Sequence, residues 1–369
     1  MKLLHVVGTR PNFVKMAPVI AALRRLDPGG RHVLVHTGQH YDAGMSAVFF
    51  EELGIPEPDV HLGVGSGGHG AQTGRVMEAV EARLLAMDPA PAGVVVVGDV
   101  NSTMAAALAA VKLGVPVAHV EAGLRSFDRT MPEEINRIVT DAVADLLYVT
   151  ERSGEENLLR EGADPAKVRL VGDVMIDTLI HELPAARAAG DPARHGLSPG
   201  GYGVVTLHRP SNVDGEERLR AVVEFLRRAS GRLPLLFPVH PRTGERLERF
   251  GLRERLAEGG GVRLLPPLGY RENLGLVASA KVVITDSGGL QEETSFLRVP
   301  CITMRDTTER PITVERGTST LVGSDHARAE GLLDAVMAGS YKAGGEIPGW
   351  DGRAAGRIVE DLVREWGGP

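Results

Sequence analysis

The sequence has one cysteine, few aromatic residues and no long apolar run. A single cysteine, Cys301, excludes an internal disulfide, and the strand-like apolar run around it predicts a buried, inert thiol. No apolar stretch is long enough to cross a bilayer, and the first one is too short for the core of a signal sequence. We therefore expect a cytoplasmic protein with no membrane partner.

The chain also lacks the features of a nucleic-acid-binding protein. Aromatic residues make up 4% of it and its formal net charge is −7, whereas such proteins present a basic surface and aromatic platforms for stacked bases. Lysine is scarce as well, because only six of the 41 basic residues are lysine. These absences predict no nucleic-acid partner and favour a small-molecule site.

Strand-like and helical stretches alternate along the chain, which is typical of parallel sheets with crossover helices. A length of 369 residues with 43% hydrophobic residues is enough for two cores. The segment 181–201 has no strand pattern and places the linker near or just before it. We predict an α/β protein of two doubly wound domains. The predicted strands are 2–7, 32–36, 93–97, 115–120 and 146–149 in the first half, and 202–207, 235–239, 262–265, 282–285 and 301–304 in the second.

A basic turn follows the first predicted strand. In residues 8–15, GTRPNFVK, Arg10 and Lys15 stand where the strand ends and a helix begins. The start of a helix offers free N–H groups and a partial positive charge, so the turn predicts an anion site, most naturally for a phosphate. The alternative is that both side chains are solvated surface charges. A lysine retained in so arginine-rich a chain favours binding.

A glycine turn follows a strand of the second half. Residues 285–293, TDSGGLQEE, join the strand 282–285 to a helix that begins near Gly288. Successive N–H groups of such a turn bind phosphate oxygens, and Ser287 adds a hydroxyl. Glu293, further along the helix, can accept hydrogen bonds from ribose hydroxyls. The alternative is an ordinary glycine-capped loop with a surface glutamate.

Two other patterns do not predict a site. Residues 63–68, GVGSGG, match the dinucleotide-binding GxGxxG pattern, but the segment before them is too short and polar for a central strand. His61 and His69 lie nearby without a third ligand at metal spacing. We predict a loop here, with no nicotinamide cofactor and no metal.

Three carboxylates occupy positions suited to acid–base chemistry. Asp99 and Glu121 each follow an apolar run at the end of a predicted strand, and Glu133 follows a proline at the start of a predicted helix. Asp99 could instead cap the helix that begins at Asn101, and Glu133 could instead pair with Arg137. Glu121 has no such local role, and a buried carboxylate without a partner is costly. Glu121 is therefore the strongest candidate for a catalytic acid or base.

Together these residues resemble a known family over nearly the whole chain. The sequence is similar to the non-hydrolysing UDP-N-acetylglucosamine (UDP-GlcNAc) 2-epimerases. The runs that carry the resemblance occur in the family's order and at its separations: GTRP (8–11), KMAP (15–18), TGQH (37–40), GD (98–99), HVEAGLR (119–125), PEE (132–134), NR (136–137), HR (208–209), PVH (238–240), TDSGGLQEE (285–293) and RDTTERP (305–311).

The resemblance implies both a fold and a reaction. The fold is the glycosyltransferase-B type, in which two Rossmann-like domains face each other across a cleft. Residues 1–172 would form the first domain and 173–353 the UDP-binding domain, with a C-terminal helix of about 354–369 packing back on the first. The reaction is the reversible inversion of C2 that converts UDP-GlcNAc to UDP-ManNAc, by loss of UDP to 2-acetamidoglucal and re-addition. The resemblance also implies no cofactor and a homodimer.

The resemblance assigns roles by position. Asp99, Glu121 and Glu133 match the family's catalytic carboxylates, without showing which one removes the C2 proton and which one returns it. A lone histidine at a strand end more often bonds to backbone, but Arg209 and the matched turn place His208 in the catalytic set. The groups matched to the phosphate side of UDP are Arg10, Lys15, His208 and Arg310, and those matched to its phosphate and ribose are Ser287, Gly288, Gly289 and Glu293.

Several segments depart from the family pattern. Residues 41–45, YDAGM, stand where the members activated by a second UDP-GlcNAc have a sequence of the His-Arg-x-Met type. Activation of this protein by its substrate is therefore an open question. The loop 126–131 is shorter than in many members. Leu268, Asn273 and residues 67–74, GGHGAQTG, are closer to the relatives that epimerise UDP-2,3-diacetamido-2,3-dideoxyglucuronate.

Two functions of other classes share parts of the pattern. A retaining UDP-sugar glycosyltransferase has the same architecture and would transfer the sugar to an acceptor. A non-catalytic nucleotide-sugar sensor would need Arg10 and Ser287 but not Glu121. Incubation with UDP-GlcNAc alone separates both from an epimerase.

Overall fold

A computed structural model describes residues 1–39 and 53–367 of the chain. His40, which ends the TGQH run, and the departing segment 41–45 lie outside the described residues. The chain divides into two compact units, Met1–His181 with Pro348–Pro369, and Glu182–Ile347.

The first unit contains one parallel sheet. Among its described residues the strands are β1 (Lys2–Val7), β2 (Arg31–His36), β3 (Val60–His61), β4 (Gly93–Val97), β5 (Val117–Ala122), β6 (Leu146–Val149) and β7 (Val168–Leu170), in the order β3-β2-β1-β4-β5-β6-β7. The helices described between them are α1 (Arg10–Leu26), α2 (His69–Leu85), α3 (Asn101–Lys112), α4 (Pro132–Val143) and α5 (Arg152–Arg160). Helix α6 (Val174–Ala189) leads from this unit into the next.

The second unit is described throughout and also contains one parallel sheet. Its strands are β8 (Gly203–Thr206), β9 (Leu235–Pro238), β10 (Val262–Leu265), β11 (Val282–Thr285), β12 (Cys301–Thr303) and β13 (Ser319–Leu321), in the order β10-β9-β8-β11-β12-β13. Its helices are α7 (Pro210–Val213), α8 (Glu216–Ser230), α9 (Pro241–Arg249), α10 (Arg253–Ala257), α11 (Tyr270–Ala278), α12 (Gly288–Leu297), α13 (Pro311–Glu315) and α14 (His326–Met337).

Apolar side chains are buried on both faces of the second sheet. Val204 and Val283 belong to the core on one face, whereas Val205 and Ile284, the next residues along the same strands, belong to the core on the other. In the first sheet every residue of β4 is buried. Burial on both faces explains why these strands read as unbroken apolar runs, and it confirms two doubly wound α/β domains.

All ten predicted strands are present, and β5 begins and ends two residues later than predicted. The sequence pattern did not predict three strands, β3, β7 and β13. Each has two or three residues and lies at an edge of its sheet. A short edge strand buries little and needs no apolar run, so it leaves no clear signal in the sequence.

The last helix, α15 (Ala354–Trp366), belongs to the first unit and contacts α1. Its buried Asp361 accepts a hydrogen bond from the Tyr148 hydroxyl of β6 (3.0 Å). The N–H groups of its first two residues donate to the Asp177 carboxylate, which therefore caps the helix.

The order of strands reverses once in each sheet, between β1 and β4 and between β8 and β11. In open parallel sheets ligands bind beside the carboxyl ends of the strands at such a reversal. Just after the carboxyl ends of these four strands stand Arg10, Asp99, His208 and Ser287. Each sheet therefore places predicted site residues where its fold favours a ligand.

Two further expectations concern Cys301 and the membrane. Cys301 is fully buried on β12, as predicted, and burial raises the pKa of its thiol, which favours an inert cysteine. Within 1–39 and 53–367, no helix combines the length and the apolar character needed to cross a bilayer.

Candidate active site

The turn after β1 is tied to the neighbouring strand β4. Arg10 begins α1 and is partly exposed. The Asn12 side chain accepts hydrogen bonds from the N–H groups of Gly8 (3.2 Å) and Thr9 (3.1 Å). It also donates one to the carbonyl oxygen of Val97 at the end of β4 (2.8 Å). Sequence reasoning missed Asn12, although Thr followed three residues later by a polar side chain is a signal of a helix start.

Lys15 lies inside the protein. Its ammonium forms an ion pair with the Glu121 carboxylate, and both side chains are buried. A Cβ added at Gly98, the residue before Asp99, would lie 3.2 Å from Lys15 Nζ, and the φ of Gly98 is 69°, so glycine suits this position beside the ammonium. Lys15, predicted at the phosphate, is thus paired with one of the predicted catalytic carboxylates, and each buried charge of the ion pair compensates the other.

Glu121 has a strained backbone. Its φ is 73°, in the left-handed region that side chains other than glycine avoid at a cost of roughly 1–2 kcal/mol. The pairing of β5 with β6 shifts register between Val120 and Ala122, which marks a β-bulge at Glu121. Bulges beside active sites redirect a side chain, and strain of this kind persists where function requires it.

Arg137 joins Asp99 to a further carboxylate. Its buried guanidinium donates hydrogen bonds to Asp99 through Nη1 and to Glu134 through Nη2 (2.8 Å) and Nε (3.2 Å). Helix α3 begins at Asn101 with Val100 as its N-cap and no capping side chain. The alternative that Asp99 caps this helix is therefore wrong.

Glu134, which sequence reasoning missed, fixes the loop before α4. Its carboxylate accepts hydrogen bonds from the N–H groups of Ser126 and Phe127, both at 2.9 Å. Burial by itself raises the pKa of Glu134, but these hydrogen bonds and Arg137 hold the pKa below its usual value. Glu133 is partly exposed as the second residue of α4, where the helix N-terminus favours a carboxylate.

In the second sheet, Asp286 organises the basic turn after β8. This fully buried carboxylate accepts hydrogen bonds from the N–H groups of His208 (3.1 Å) and Arg209 (2.9 Å) and from the Asn212 amide (2.9 Å). His208 Nδ1 lies 3.1 Å from Asp286 Oδ1. Burial raises the pKa of Asp286, but the hydrogen bonds and the charge of His208 outweigh it and lower the pKa. The His208 ring therefore contacts a carboxylate, and the alternative that it bonds to backbone is wrong.

The glycine turn becomes the first turn of α12. Ser287 is the N-cap residue, and Gly288 and Gly289 open the helix, where N–H groups have no partner within the helix. A Cβ added at Gly288 would lie 2.8 Å from Arg310 Nη1. Glycine therefore allows a guanidinium to approach a helix N-terminus, an arrangement suited to a phosphate.

Glu293 is buried within α12 rather than exposed on its surface. Burial and the neighbouring Glu292 raise its pKa to about 8, and the Tyr270 hydroxyl bonds to it. Arg310, predicted at the phosphate, bonds here to the carboxylates of Glu292 and Glu309. The alternative of an ordinary glycine-capped loop with a surface glutamate is therefore wrong for Glu293.

The described ranges contain no group of three or more His, Cys, Asp or Glu side chains that could hold a metal ion. His61 is in the short edge strand β3 and His69 begins α2, where its Nδ1 lies 3.1 Å from the Asn101 amide. The glycine-rich residues between them form a loop, as predicted.

Comparison with known proteins gives consistent matches along the chain. The family model described as UDP-N-acetylglucosamine 2-epimerase matches residues 24–363. The UDP-N-acetylglucosamine 2-epimerase of Methanocaldococcus jannaschii is 41% identical over 368 residues, covering 98% of this chain and 99% of the relative. The UDP-2,3-diacetamido-2,3-dideoxy-D-glucuronate 2-epimerase of Pseudomonas aeruginosa is 42% identical over 368 residues, covering 99% and 100%.

A solved structure agrees with these matches. The crystal structure of the M. jannaschii UDP-GlcNAc 2-epimerase in complex with UDP-GlcNAc and UDP superimposes with a TM-score of 0.89 at 42% identity, covering 99% of this chain and all of that one.

Proposed function

Because this chain belongs to the UDP-N-acetylglucosamine 2-epimerase family, we propose that it interconverts UDP-GlcNAc and UDP-ManNAc by inverting C2 of the sugar. The observation that carries the proposal is the group of ionisable side chains at the first sheet, in which Lys15 and Arg137 hold the carboxylates of Glu121 and Asp99. A nucleotide-sugar sensor has no need of a strained, buried glutamate.

The chemistry of the substrate explains why carboxylates and cations are both needed. C2 is not adjacent to a carbonyl group, so removing its proton alone would leave a carbanion without stabilisation. If the C1–O bond breaks as the proton leaves, the electron pair of the C2–H bond forms the C1–C2 double bond of 2-acetamidoglucal. UDP departs with the electrons of the C1–O bond. Re-addition of UDP and protonation of C2 from the opposite face give the epimer.

This route needs an acid–base group on each face of C2 and cations near the departing diphosphate. We propose that Glu121, Asp99 and Glu133 supply the acid–base groups. The strained backbone of Glu121 and its buried ion pair fit a group held in one orientation. Lys15 then acts beside Glu121, where it balances the charge of that carboxylate, rather than only at the phosphates.

We propose that the second sheet supplies most of the UDP site. The first turn of α12 with Ser287, Gly288 and Gly289 binds the diphosphate, and Glu293 accepts hydrogen bonds from the ribose. His208, fixed by Asp286, faces the diphosphate as a cation or proton donor to the leaving oxygen. Arg310 adds a guanidinium beside this turn, and Arg10, which begins α1 of the first unit, is a further candidate anion-binding residue.

The identity of the sugar has a second candidate. The Pseudomonas relative that acts on a diacetamido glucuronate is as similar to this chain as the relatives named for UDP-GlcNAc. Residues 67–74 and the pair Leu268 and Asn273 favour that substrate in the sequence. The C2 chemistry is the same for both sugars.

Incubation of the purified protein with each UDP-sugar separately, followed by proton NMR, tests the proposal. We expect the C2 epimer of UDP-GlcNAc to accumulate to equilibrium, and Glu121→Gln to form it at least about a hundredfold more slowly. Faster conversion of the diacetamido glucuronate would select the alternative substrate. Release of UDP without epimer, or no reaction with either sugar, would contradict an epimerase.

We further propose that the protein acts as a homodimer in the cytoplasm. A UDP-sugar carries two phosphate charges and does not cross a bilayer unaided, which favours an enzyme in the compartment where nucleotides are made. Two-fold dimers are the commonest soluble oligomers. Light scattering during gel filtration checks the mass, and a monomer at micromolar concentration would contradict the dimer.

A further inference from the structure

His119, Arg125 and Asp141 form a buried charged cluster in the first unit that the proposed chemistry does not use. Asp141 is on α4, His119 is on β5, and Arg125 follows the end of β5. Glu121 stands between His119 and Arg125 in the sequence, so the cluster surrounds the most strained of the proposed catalytic residues.

The Asp141 carboxylate bonds to the chain on both sides of Glu121. Its Oδ1 lies 2.6 Å from His119 Nδ1, two residues before Glu121. Its Oδ2 accepts a hydrogen bond from the backbone N–H of Gly123, two residues after Glu121 (3.1 Å), and lies 2.7 Å from Arg125 Nη1. One side chain of α4 thus bonds to the chain on both sides of the bulge in β5.

His119 extends this contact to the neighbouring strand. Its Nε2 lies 2.8 Å from the carbonyl oxygen of Gly98, the residue before Asp99. Both partners of the ring are hydrogen-bond acceptors, so the ring links Asp141 to the turn after β4. Burial by itself raises the pKa of Asp141, but the charges and hydrogen bonds of His119 and Arg125 keep the pKa below its usual value.

The bulge requires support from outside β5. A left-handed residue with a Cβ persists only where the surroundings determine its conformation. The register of β5 against β6 is broken on either side of Glu121, so the ladder alone does not fix that residue. Asp141 supplies bonds at the two positions that bracket the break.

We propose that Asp141 is a positioning residue that holds the bulge in β5 and thereby aims the Glu121 carboxylate at the substrate. The inference rests on the proposed function for the role of Glu121. Glu161 offers a matched control, because its carboxylate bonds to the same Arg125 (2.9 and 2.6 Å). Among the described contacts of that carboxylate, none is to His119 or Gly123.

Three variants test the proposal in the full-length protein: Asp141→Asn, Asp141→Ala and Glu161→Gln. We expect Asp141→Ala to lower kcat for epimerisation of UDP-GlcNAc about a hundredfold, as misplacement of a catalytic group by an ångström does, with KM nearly unchanged. Glu161→Gln should stay within about twofold of the parent, as surface charge changes usually do. Equal losses of kcat in Asp141→Ala and Glu161→Gln would overturn the proposal.

A double-mutant cycle separates positioning from general stability. In the Glu121→Gln background, Asp141→Asn should cost little more, because the group that Asp141 positions is already inactive. A loss as large as in the parent would show that Asp141 acts independently of Glu121 and would overturn the proposal. If Asp141→Ala does not fold, the loss of kcat in the isosteric variant Asp141→Asn, compared with that in Glu161→Gln, tests the proposal instead.

Hydrogen exchange tests the bulge without relying on activity. By mass spectrometry, the peptide that contains residues 119–125 should exchange roughly tenfold faster in Asp141→Asn than in Glu161→Gln, because the Gly123 N–H loses its carboxylate acceptor. Equal exchange in the two variants would overturn the inference. If the parent protein epimerises no UDP-sugar, the proposed function fails, and this comparison still shows whether Asp141 holds the bulge.

Discussion

The affinity of the protein for a UDP-sugar should increase with pH between 7 and 9, because the ionised Glu293 carboxylate accepts stronger hydrogen bonds from the ribose hydroxyls, and through both oxygens, than the uncharged acid does. Glu293 is buried in α12, and burial together with the adjacent Glu292 raises its pKa to about 8. At pH 7 most of the protein therefore has an uncharged carboxylic acid at this position. An ordinary glutamate is already ionised at pH 7 and would produce no such dependence.

The size of the effect follows from the ionised fraction. With a pKa of about 8, roughly one carboxyl group in eleven is ionised at pH 7 and roughly ten in eleven at pH 9. For binding by the ionised form alone, the apparent dissociation constant is the intrinsic one divided by that fraction, so it should fall about tenfold from pH 7 to pH 9. The diphosphate of a UDP-sugar is esterified at both ends and does not titrate in this range.

Isothermal titration calorimetry of UDP-GlcNAc provides the assay. The Glu121→Gln variant is used so that turnover does not obscure binding, and Glu293→Gln in the same background is the control. Near pH 7, we expect binding to release a proton from the Glu121→Gln variant but not from the variant that also carries Glu293→Gln. The release is detected because the measured heat of binding then depends on the ionisation enthalpy of the buffer. A dissociation constant that stays constant from pH 7 to 9 would refute the reasoning about Glu293.

Two further predictions concern the first sheet. Asp99→Asn, Glu121→Gln and Glu133→Gln should each lower kcat at least about a hundredfold, the usual scale for acid–base groups, and leave the affinity for UDP nearly intact in calorimetry; near-normal turnover of Glu121→Gln would contradict its assignment. Burial and His32 lower the pKa of His5 to about 3, so the unfolded chain binds this proton more readily and stability falls as the pH drops below 6.5. Between pH 6.5 and 5, the free energy of unfolding measured with urea should fall by about 2 kcal/mol less in His5→Leu than in the parent. An equal fall in the two proteins would contradict this.

Local patterns account for the features that the sequence predicted correctly. The apolar runs of β4 and β11 are buried on both faces, and the glycine turn begins α12 at Gly288 as predicted. Each of these features is encoded by consecutive residues. The edge strands β3, β7 and β13 bury too little to leave such a pattern.

The pairs that organise the site come from distant parts of the chain. Lys15 of α1 meets Glu121 of β5, and Asp141 of α4 bonds to His119 and Gly123. No spacing rule predicts these contacts, because the sheet brings the residues together only after it has formed. The position of a carboxylate at a strand end could be predicted, but its partner could not.

Strain is the other property that the sequence does not show. Glu121 is preceded by a regular apolar run and gives no sign of a left-handed backbone or a bulge. Glycine marks such positions when the chain can use it, as at Gly98 and Gly123. Where chemistry requires a carboxylate instead, the strain becomes visible only in the structure.

Incorporation of deuterium at C2 during a single turnover in D₂O tests the central claim most directly. If elimination gives 2-acetamidoglucal, the C2 proton passes to one carboxylate, and the new one comes from a group on the opposite face that has equilibrated with solvent. We predict that UDP-ManNAc formed from UDP-GlcNAc carries deuterium at C2, with no nicotinamide added, and that Glu121→Gln forms none at a comparable rate. UDP-ManNAc that retains protium at C2 after one turnover would contradict the account.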